Sequence, residues 1–289
     1  MDALPFIVAE QQGYFDAAGV AVELVHTGSA ADRDQLLQSG RVDGVVTDLV
    51  ALAFYNRTAP QVAAVRMSMR PMPGHPQFRI LAAPGSSITR PAELKGVPVA
   101  VSEGTIIEYV TRKALAAAGL PPRDIQVVAI PGIPTRMTML ESGNVKAACL
   151  PEPLASLAEA KGAVPLVDAI DHRPFSCSVI AFSKQTLTAR RSAVQALLGA
   201  LDRAVDDINA DKKTWQKTAS ENQLIPAPLK DSFELMDYPQ AGLPPPEMVD
   251  AVIEWLTSTG KLAGYTPTYD DMVDRNAGKN TAKKTAPKP

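Results

Sequence analysis

Residues 36 to 48 read LLQSGRVDGVVTD, and residues 139 to 151 read MLESGNVKAACLP. Leu37, Ser39, Gly40 and Val42 answer to Leu140, Ser142, Gly143 and Val145 at an offset of 103 residues. Upstream, Ala17-Ala18-Gly19 and the strand-like VAVELV are echoed by Ala117-Ala118-Gly119 and IQVVAI at an offset of 100. One unit therefore occurs twice, as helix, glycine stop, strand, loop, helix, Ser-Gly stop, strand, loop, helix. Alternation of this kind predicts an α/β fold with a mainly parallel sheet in each of two similar halves.

Working outward, the second unit begins with a strand, PVAV at residues 98 to 101, and its first helix is opened by a predicted capping box of Thr105 and Glu108. Subtracting 100 puts the matching first-unit helix at Pro5 to Ala18 and its preceding strand at or before Met1, an expectation that the native protein extends upstream. The opening MDALPFIVAEQQGYF has no positive n-region and no small-residue cleavage site, so a signal peptide is absent or already removed. RILAAPGSSI (79–88) and SVIAFSK (178–184) are short apolar segments suited to cross between lobes, and two crossings make a hinge. Apolar faces over Ser192 to Asn209 and over Pro246 to Ser258 predict packing helices. The division expected is 1–85 for lobe one, 86–180 for lobe two, 181–275 for the helical completion of lobe one, and 276–289 for a disordered, lysine-rich tail.

Composition narrows the function. With 289 residues, of which 46% are hydrophobic, the chain exceeds the size at which single cores split, which also favours two lobes. A net charge of −2 offers no basic excess for phosphates, so nucleic acid is not an expected partner. The longest apolar stretches fall short of the roughly 20 residues a bilayer requires. Cys149 and Cys177 fit neither a CxxC motif nor a zinc site, and read as two buried apolar side chains in preference to a single disulfide. GxSxG, HExxH, GxxxxGK[ST] and GxGxxG are all missing, and His26, His75 and His172 stand alone. No catalytic group, cofactor or metal is expected.

In parallel α/β sheets, ligands lie beyond the carboxyl ends of strands, where loops lead into helix N-termini. The repeat selects those loops: Asp2 to Pro5, Gly28 to Ala30 and Thr47 to Leu49 in one half, and Ser102 to Ile106, Pro131 to Thr135 and Pro151 to Pro153 in the other. Thr47, Asp48, Thr105 and Thr135 are helix-capping residue types whose oxygens also suit a ligand; capping alone explains any one of them, but not six loops facing one gap. Glu152, fixed between Pro151 and Pro153, serves either the α-helix dipole or a ligand, and Glu103 beside Gly104 shares that ambiguity. Together the loops carry Asp2, Asp48, Glu103 and Glu152, with Arg136 the one nearby cation. A desolvated sulfonate or nitrate calls for Arg or Lys, so the acidic lining favours a ligand with amino or ring N–H donors. Arg66, Arg70 and Arg79 have no assigned place relative to the cleft, and Met67, Met69 and Met72 read as packing residues that border it at most.

LPFIVAEQQGYFDAAGVAVELV (4–25), GRVDGVVTDLVAL (40–52), ITRPAELKGVPVAVSEGTIIEYVTRKALAAAGL (88–120) and VKAACLPEPLASLAEAKGA (145–163) together resemble the periplasmic solute-binding proteins of the nitrate, sulfonate, taurine and thiamine-precursor type. The resemblance implies a type II periplasmic-binding-protein fold, two similar lobes joined by a two-crossing hinge. It also implies ligand contacts from Leu4 and Pro5, Ser29, Thr47 and Asp48, from Ser102, Glu103, Gly104, Thr105 and Ile106, and from Glu152. The repeat adds Pro134 and Thr135. The implied role is that of a monomeric, extracytoplasmic component of an ABC importer that delivers a small solute to a membrane permease, with a thiamine-pyrimidine precursor or similar heterocycle preferred. The main rival is an intracellular enzyme on the same fold, a dehydratase or pyrimidine synthase using cleft carboxylates. A ligand-sensing domain is the second.

Overall fold

The computed structural model describes residues 1–27, 29–72, 74–168, 177–262 and 264–277. Among these, eight strands form two sheets. The first has the order β1 (Gly44–Asp48), β8 (Ser178–Ser183), β2 (Val62–Met69). The second has the order β5 (Val127–Ala129), β4 (Val99–Val101), β6 (Ala147–Pro151), β3 (Phe78–Ala82), β7 (Val164–Asp168). β4 pairs in parallel with both β5 and β6. β3 runs antiparallel to β6 and β7, and β8 antiparallel to β1 and β2. The strands of each repeat unit thus share one direction, as expected of an α/β fold, and a single opposing strand enters each sheet.

Those two opposing strands are the predicted crossings. The chain leaves the first sheet after β2 and enters the second as β3, where Ile80 faces Cys149 on one side and Val167 on the other. It returns as β8, where Ile180 faces Val46 and Arg66. Pairing therefore places β3, part of the stretch 1–85 expected for lobe one, in the second sheet. It places the start of β8, part of the stretch 86–180 expected for lobe two, in the first.

Superposing the strand orders sets β6-β3-β7 against β1-β8-β2. The second sheet continues beyond β6 to β4 and β5, whereas the first has no described strand beyond β1. VAVELV, predicted as a strand, is extended but unpaired. Val20, Val22 and Leu24 are half-buried and alternate with exposed Ala21, Glu23 and Val25, the period of a strand with one face inward. No described strand occupies the position between this segment and β1, so its backbone has no ladder to join.

The first predicted helix is also divided, into α1 (Leu4–Gln11) and α2 (Tyr14–Ala17), because Gly13 between them adopts a left-handed φ of 66°. α3 (Ala30–Gln38) and α4 (Leu49–Tyr55) complete this half. α5 (Ile106–Ala117), α6 (Ile133–Glu141) and α7 (Leu154–Ala160) serve the other. Both ends of α3 map onto both ends of α6 at the offset of 103.

The C-terminal part is helical, with α8 (Lys184–Ala189), α9 (Arg191–Ala210), α10 (Lys212–Glu221), α11 (Pro246–Ser258) and α12 (Tyr269–Met272). α9 buries Val194, Leu197, Leu198, Leu201, Val205 and Ile208 in one core with Leu4 and Val8 of α1, each side chain contributing roughly 1.5–3 kcal/mol. α11 packs Val249, Val252 and Leu256 in the core shared with α4. From the same helix Trp255 reaches Tyr109 of α5, ring centroids 5.2 Å apart. Ala277 is fully buried, so the packed structure extends past the predicted start of the tail at 276. The remainder of that tail, 278–289, lies outside the described residues. Cys149 and Cys177 are free and buried, and burial pushes their thiols up to about 11 and about 12.

Candidate functional site

A cavity of about 510 Å³ opens where the crossing strands pass from one sheet to the other. From the half built on the first sheet come Asp2, Met69, Ser178, Phe233 and Glu234; from the half built on the second come Phe78, Arg79, Glu152, Ser156 and Glu159. Backbone pairing explains the convergence. Ser178 opposes Asp48 at the end of β1, and Phe78 opposes Pro151 at the end of β6. Gln77 bridges the two sides, its Nε2 donating to Ser178 Oγ at 3.4 Å.

Glu152 follows β6 directly. Its Oε2 accepts from the Ser156 backbone N–H at 3.2 Å and from Ser156 Oγ at 2.7 Å, and its Oε1 lies 3.0 Å from Arg79 Nε. Burial pushes its carboxyl above the ordinary glutamate value, against the pull of Ser156 and Arg79. Arg79 is also paired with Glu159 at 2.6 Å and Asp168 at 3.3 Å. Asp2, in the turn before α1, has a buried Oδ1 with no hydrogen-bond partner among the described residues. The lining thus carries four carboxylates, Asp2, Glu152, Glu159 and Glu234, against the guanidinium of Arg79 and the imidazole of His75.

Of the residues selected from sequence, Glu152 lines this cavity directly, as do Asp2 and Pro151 of the selected loops. Asp48 stands behind it through Ser178, as N-cap of α4, accepting from the N–H groups of Val50 and Ala51 at 2.9 Å each. Burial raises its carboxyl, opposed by those N–H groups and by Arg33. Thr47, beside it, has a buried Oγ1 without a partner among the described residues.

The structure turns the others elsewhere. Leu4 and Pro5 are core residues of α1. Ser29 caps α3 by accepting from Asp32 N–H, on an exposed face. Ser102 donates to Pro131 O and accepts from Arg136 Nη1, so its hydroxyl is committed within the second half. Thr105 caps α5 as predicted, but the box is not closed: Glu108 accepts from Gly104 N–H, one residue earlier, because Gly104 takes a left-handed φ of 75° and aims its N–H at the carboxylate. Ile106 is buried and Glu103 exposed. Pro134 and Thr135 lie exposed in the first turn of α6, whose N-cap is Gly132, so Thr135 caps nothing.

Arg66 and Arg70 do not reach the cavity. Arg66 is buried in an ion pair with Asp202, and Arg70 is exposed. Arg79, Gln77 and Ser178 were missed as lining residues. The signal available was their position at the ends of the two predicted crossings, which must border any gap between sheets. Phe233 and Glu234 lie in an irregular segment after α10 whose pattern gives no placement.

The NMT1-like family matches residues 1–221. No curated protein matches the chain in sequence. Among solved structures, the alkanesulfonate-binding protein SsuA of Xanthomonas axonopodis pv. citri, bound to MOPS, is 20% identical with a TM-score of 0.76 over 93% of this chain and 94% of its own. The periplasmic aliphatic sulphonate-binding protein SsuA of Escherichia coli is 19% identical, TM-score 0.77, over 94% and 89%. The periplasmic nitrate-binding protein NrtA of Synechocystis PCC 6803 is 16% identical, TM-score 0.76, over 96% and 84%. Likeness at this identity establishes the fold, which is that of the periplasmic binding proteins.

Proposed function

This chain belongs to the NMT1-like family, and we propose that it is the solute-binding component of an ABC importer, an extracytoplasmic protein that delivers one small polar organic molecule to a membrane permease. The observation that carries this reading is the cavity walled from both sheets, with Asp2 and Ser178 on one side and Arg79 and Glu152 on the other. A solute held there touches both halves when they are closed and one when they are open, so binding favours closure by differential affinity. The lobes are then 1–72 with 177–277, and 78–168, each built on one sheet.

The lining supports a solute rich in amino or ring N–H donors, such as a pyrimidine or related heterocycle, over a sulfonate or nitrate. Four carboxylates repel an anion, and the guanidinium that would attract one is already paired with Glu152, Glu159 and Asp168. An enzyme reading finds less support. Both thiols are buried and held protonated, and of the cavity carboxylates Glu152 is engaged with Arg79 and Ser156 and Glu159 with Arg79.

The test is a thermal-shift and native mass spectrometry panel of heterocyclic amines, aliphatic amines and small sulfonates. A true solute at a hundred times its dissociation constant adds roughly 2.7 kcal/mol to stability. Stabilisation by amines or heterocycles at one molecule per chain is expected. A response confined to sulfonates overturns the charge argument, and conversion of a compound without stable binding overturns transport.

A further inference from the structure

Beside its carboxylates the cavity has an apolar wall that includes Met69, Phe78, Pro151, Leu229, Phe233 and Met236. Two of these side chains are aromatic, and they come from opposite halves. Phe78 opens β3 opposite Pro151 and packs against the core that holds Ile80 and Cys149. Phe233 packs against the core that holds Leu201 and Leu229. Both are half-buried, and neither lies against another aromatic ring among the described residues. Each ring therefore rests on a core and gives the rest of its surface to the cavity.

The position of Phe233 is fixed by its own local structure. Leu229 ends a 3-10 turn, Ala227–Leu229, with its side chain sunk in the core of the first half. Its carbonyl accepts from the backbone N–H groups of Ser232 at 3.1 Å and Phe233 at 2.8 Å, so that Leu229, Ser232, Phe233 and Glu234 all line the cavity. The same turn lies against α7, the helix of the other half that carries Ser156 and Glu159. This segment is beyond residue 221, where the match to the NMT1-like family ends, and it answers to neither unit of the internal repeat. The ring it supplies is thus not fixed by the architecture that the two halves share.

We propose that Phe78 and Phe233 hold a planar aromatic ring of the solute between the two halves, and so select an aromatic cation over a saturated one. A flat ring offers each phenylalanine a face or an edge to stack on, which a puckered ring of the same size does not. Positive charge delocalised onto that ring gains further from the negative faces of the phenyl groups, in a cavity also lined by Glu152, Glu159 and Glu234. Ring selection rests on the binding reading above and adds the shape of the solute to its charge. Because the two contacts come from different halves, they exist together only when the halves are closed.

Isothermal titration of the full chain compares benzamidine with cyclohexanecarboxamidine, which carries the same charge on a saturated ring. The wild-type chain is expected to bind benzamidine about tenfold more tightly, within what two aromatic contacts supply beyond buried area. Phe233→Leu and Phe78→Leu each keep an apolar side chain, and each is expected to lower that preference to about threefold or less while leaving affinity for the saturated amidine within about twofold. Phe233→Tyr, which keeps the ring, is expected to retain the preference. Thermal unfolding checks that each variant is folded, and if one leucine variant is not, the other carries the test. A preference absent from the wild type, or unchanged in the leucine variants, overturns the assignment while leaving solute binding intact, as does binding confined to open-chain amines or sulfonates. Where a heterocycle of the panel binds and benzamidine does not, the same substitutions are read on that heterocycle: a loss of about threefold or more is expected, and unchanged affinity overturns the assignment. If no member of the amine, heterocycle or sulfonate panel binds the wild-type chain, the binding reading itself falls, and ring selection with it.

Discussion

Arg79 Nε stands 3.0 Å from Glu152 Oε1, joining the strand by which the chain enters the second sheet to the loop that opens α7. The same guanidinium holds Glu159 within α7 and Asp168 at the end of β7, the last described residue before the chain crosses back. One side chain therefore fastens both crossings to the sheet between them. Arg79→Met removes the cation from three carboxylates. Breaking a fully buried pair costs about 3–5 kcal/mol, and the partial exposure of Glu159 and Asp168 reduces this to about 1–3 kcal/mol. Urea denaturation near neutral pH measures it; a variant within about 0.5 kcal/mol of wild type would refute the fastening role.

The pH dependence of solute binding follows from Glu152. Burial raises its carboxyl above the ordinary value, so it takes up a proton at a pH where a free glutamate stays ionised. In the window between the ordinary value of about 4.3 and the raised one, the folded state holds more protons than the unfolded. The group's contribution to stability therefore falls as pH rises through that window. Affinity for a cationic solute moves the other way, weakening as pH drops through the raised value and the carboxylate disappears. Titrations of benzamidine across the acid range should show this loss in wild type and a flatter profile in Glu152→Gln. Identical profiles would remove Glu152 from the site.

Two glycines test the packing independently of any ligand. A Cβ on Gly44 in β1 would lie 2.5 Å from Phe182 Cδ1 and 2.8 Å from Ala181 O of the neighbouring β8, contacts that force the sheet apart. Gly199, inside α9, has nothing within 4 Å of the same added atom. Gly44→Ala is expected to destabilise by about 1–3 kcal/mol, and Gly199→Ala to stabilise by about 0.5–1 kcal/mol through the lower entropy of its unfolded chain. Equal effects in thermal unfolding would contradict the register of β1 against β8.

The repeat made most of this architecture legible because its signals are local. Glycine stops, β-branched runs and the caps at Asp48 and Thr105 depend on neighbours in sequence, and α3 and α6 coincide at the offset that Ser-Gly suggested. What failed depended on distant partners. VAVELV has the pattern of a strand, but a ladder needs a second backbone, and none is described beside it. Leu4 stands where the resemblance puts a ligand contact but packs in the α9 core, a direction fixed by a helix almost two hundred residues later. Arg79 was visible only as a cation on a crossing strand. Its place at the cavity follows from the antiparallel pairing with β6, which no local pattern encodes.

The C-terminal helices grip the second half through a buried carboxylate. Glu108 of α5 is almost wholly buried and accepts from Gly104 N–H at 2.8 Å and Arg112 Nε at 2.8 Å, while Lys261, just past α11, lies 3.6 Å away. Burial alone would raise its carboxyl, but Gly104, Arg112 and Lys261 together outweigh it and hold the group below the ordinary value. Its stabilising effect is therefore present above the unfolded value and is lost as pH falls through the folded one. Glu108→Gln keeps the shape and an acceptor for Gly104 but removes both charge partners, at a cost of about 1–2 kcal/mol near pH 7. Trp255→Ala removes the neighbouring ring contact with Tyr109 and about 3–5 kcal/mol. Urea unfolding of wild type and Glu108→Gln from pH 7 downwards separates charge from shape: the gap should be clear near pH 7 and close as pH falls through the folded value. A gap that persists in acid would assign the contribution to packing, and the ion pair with Lys261 would not be what holds α11 against α5.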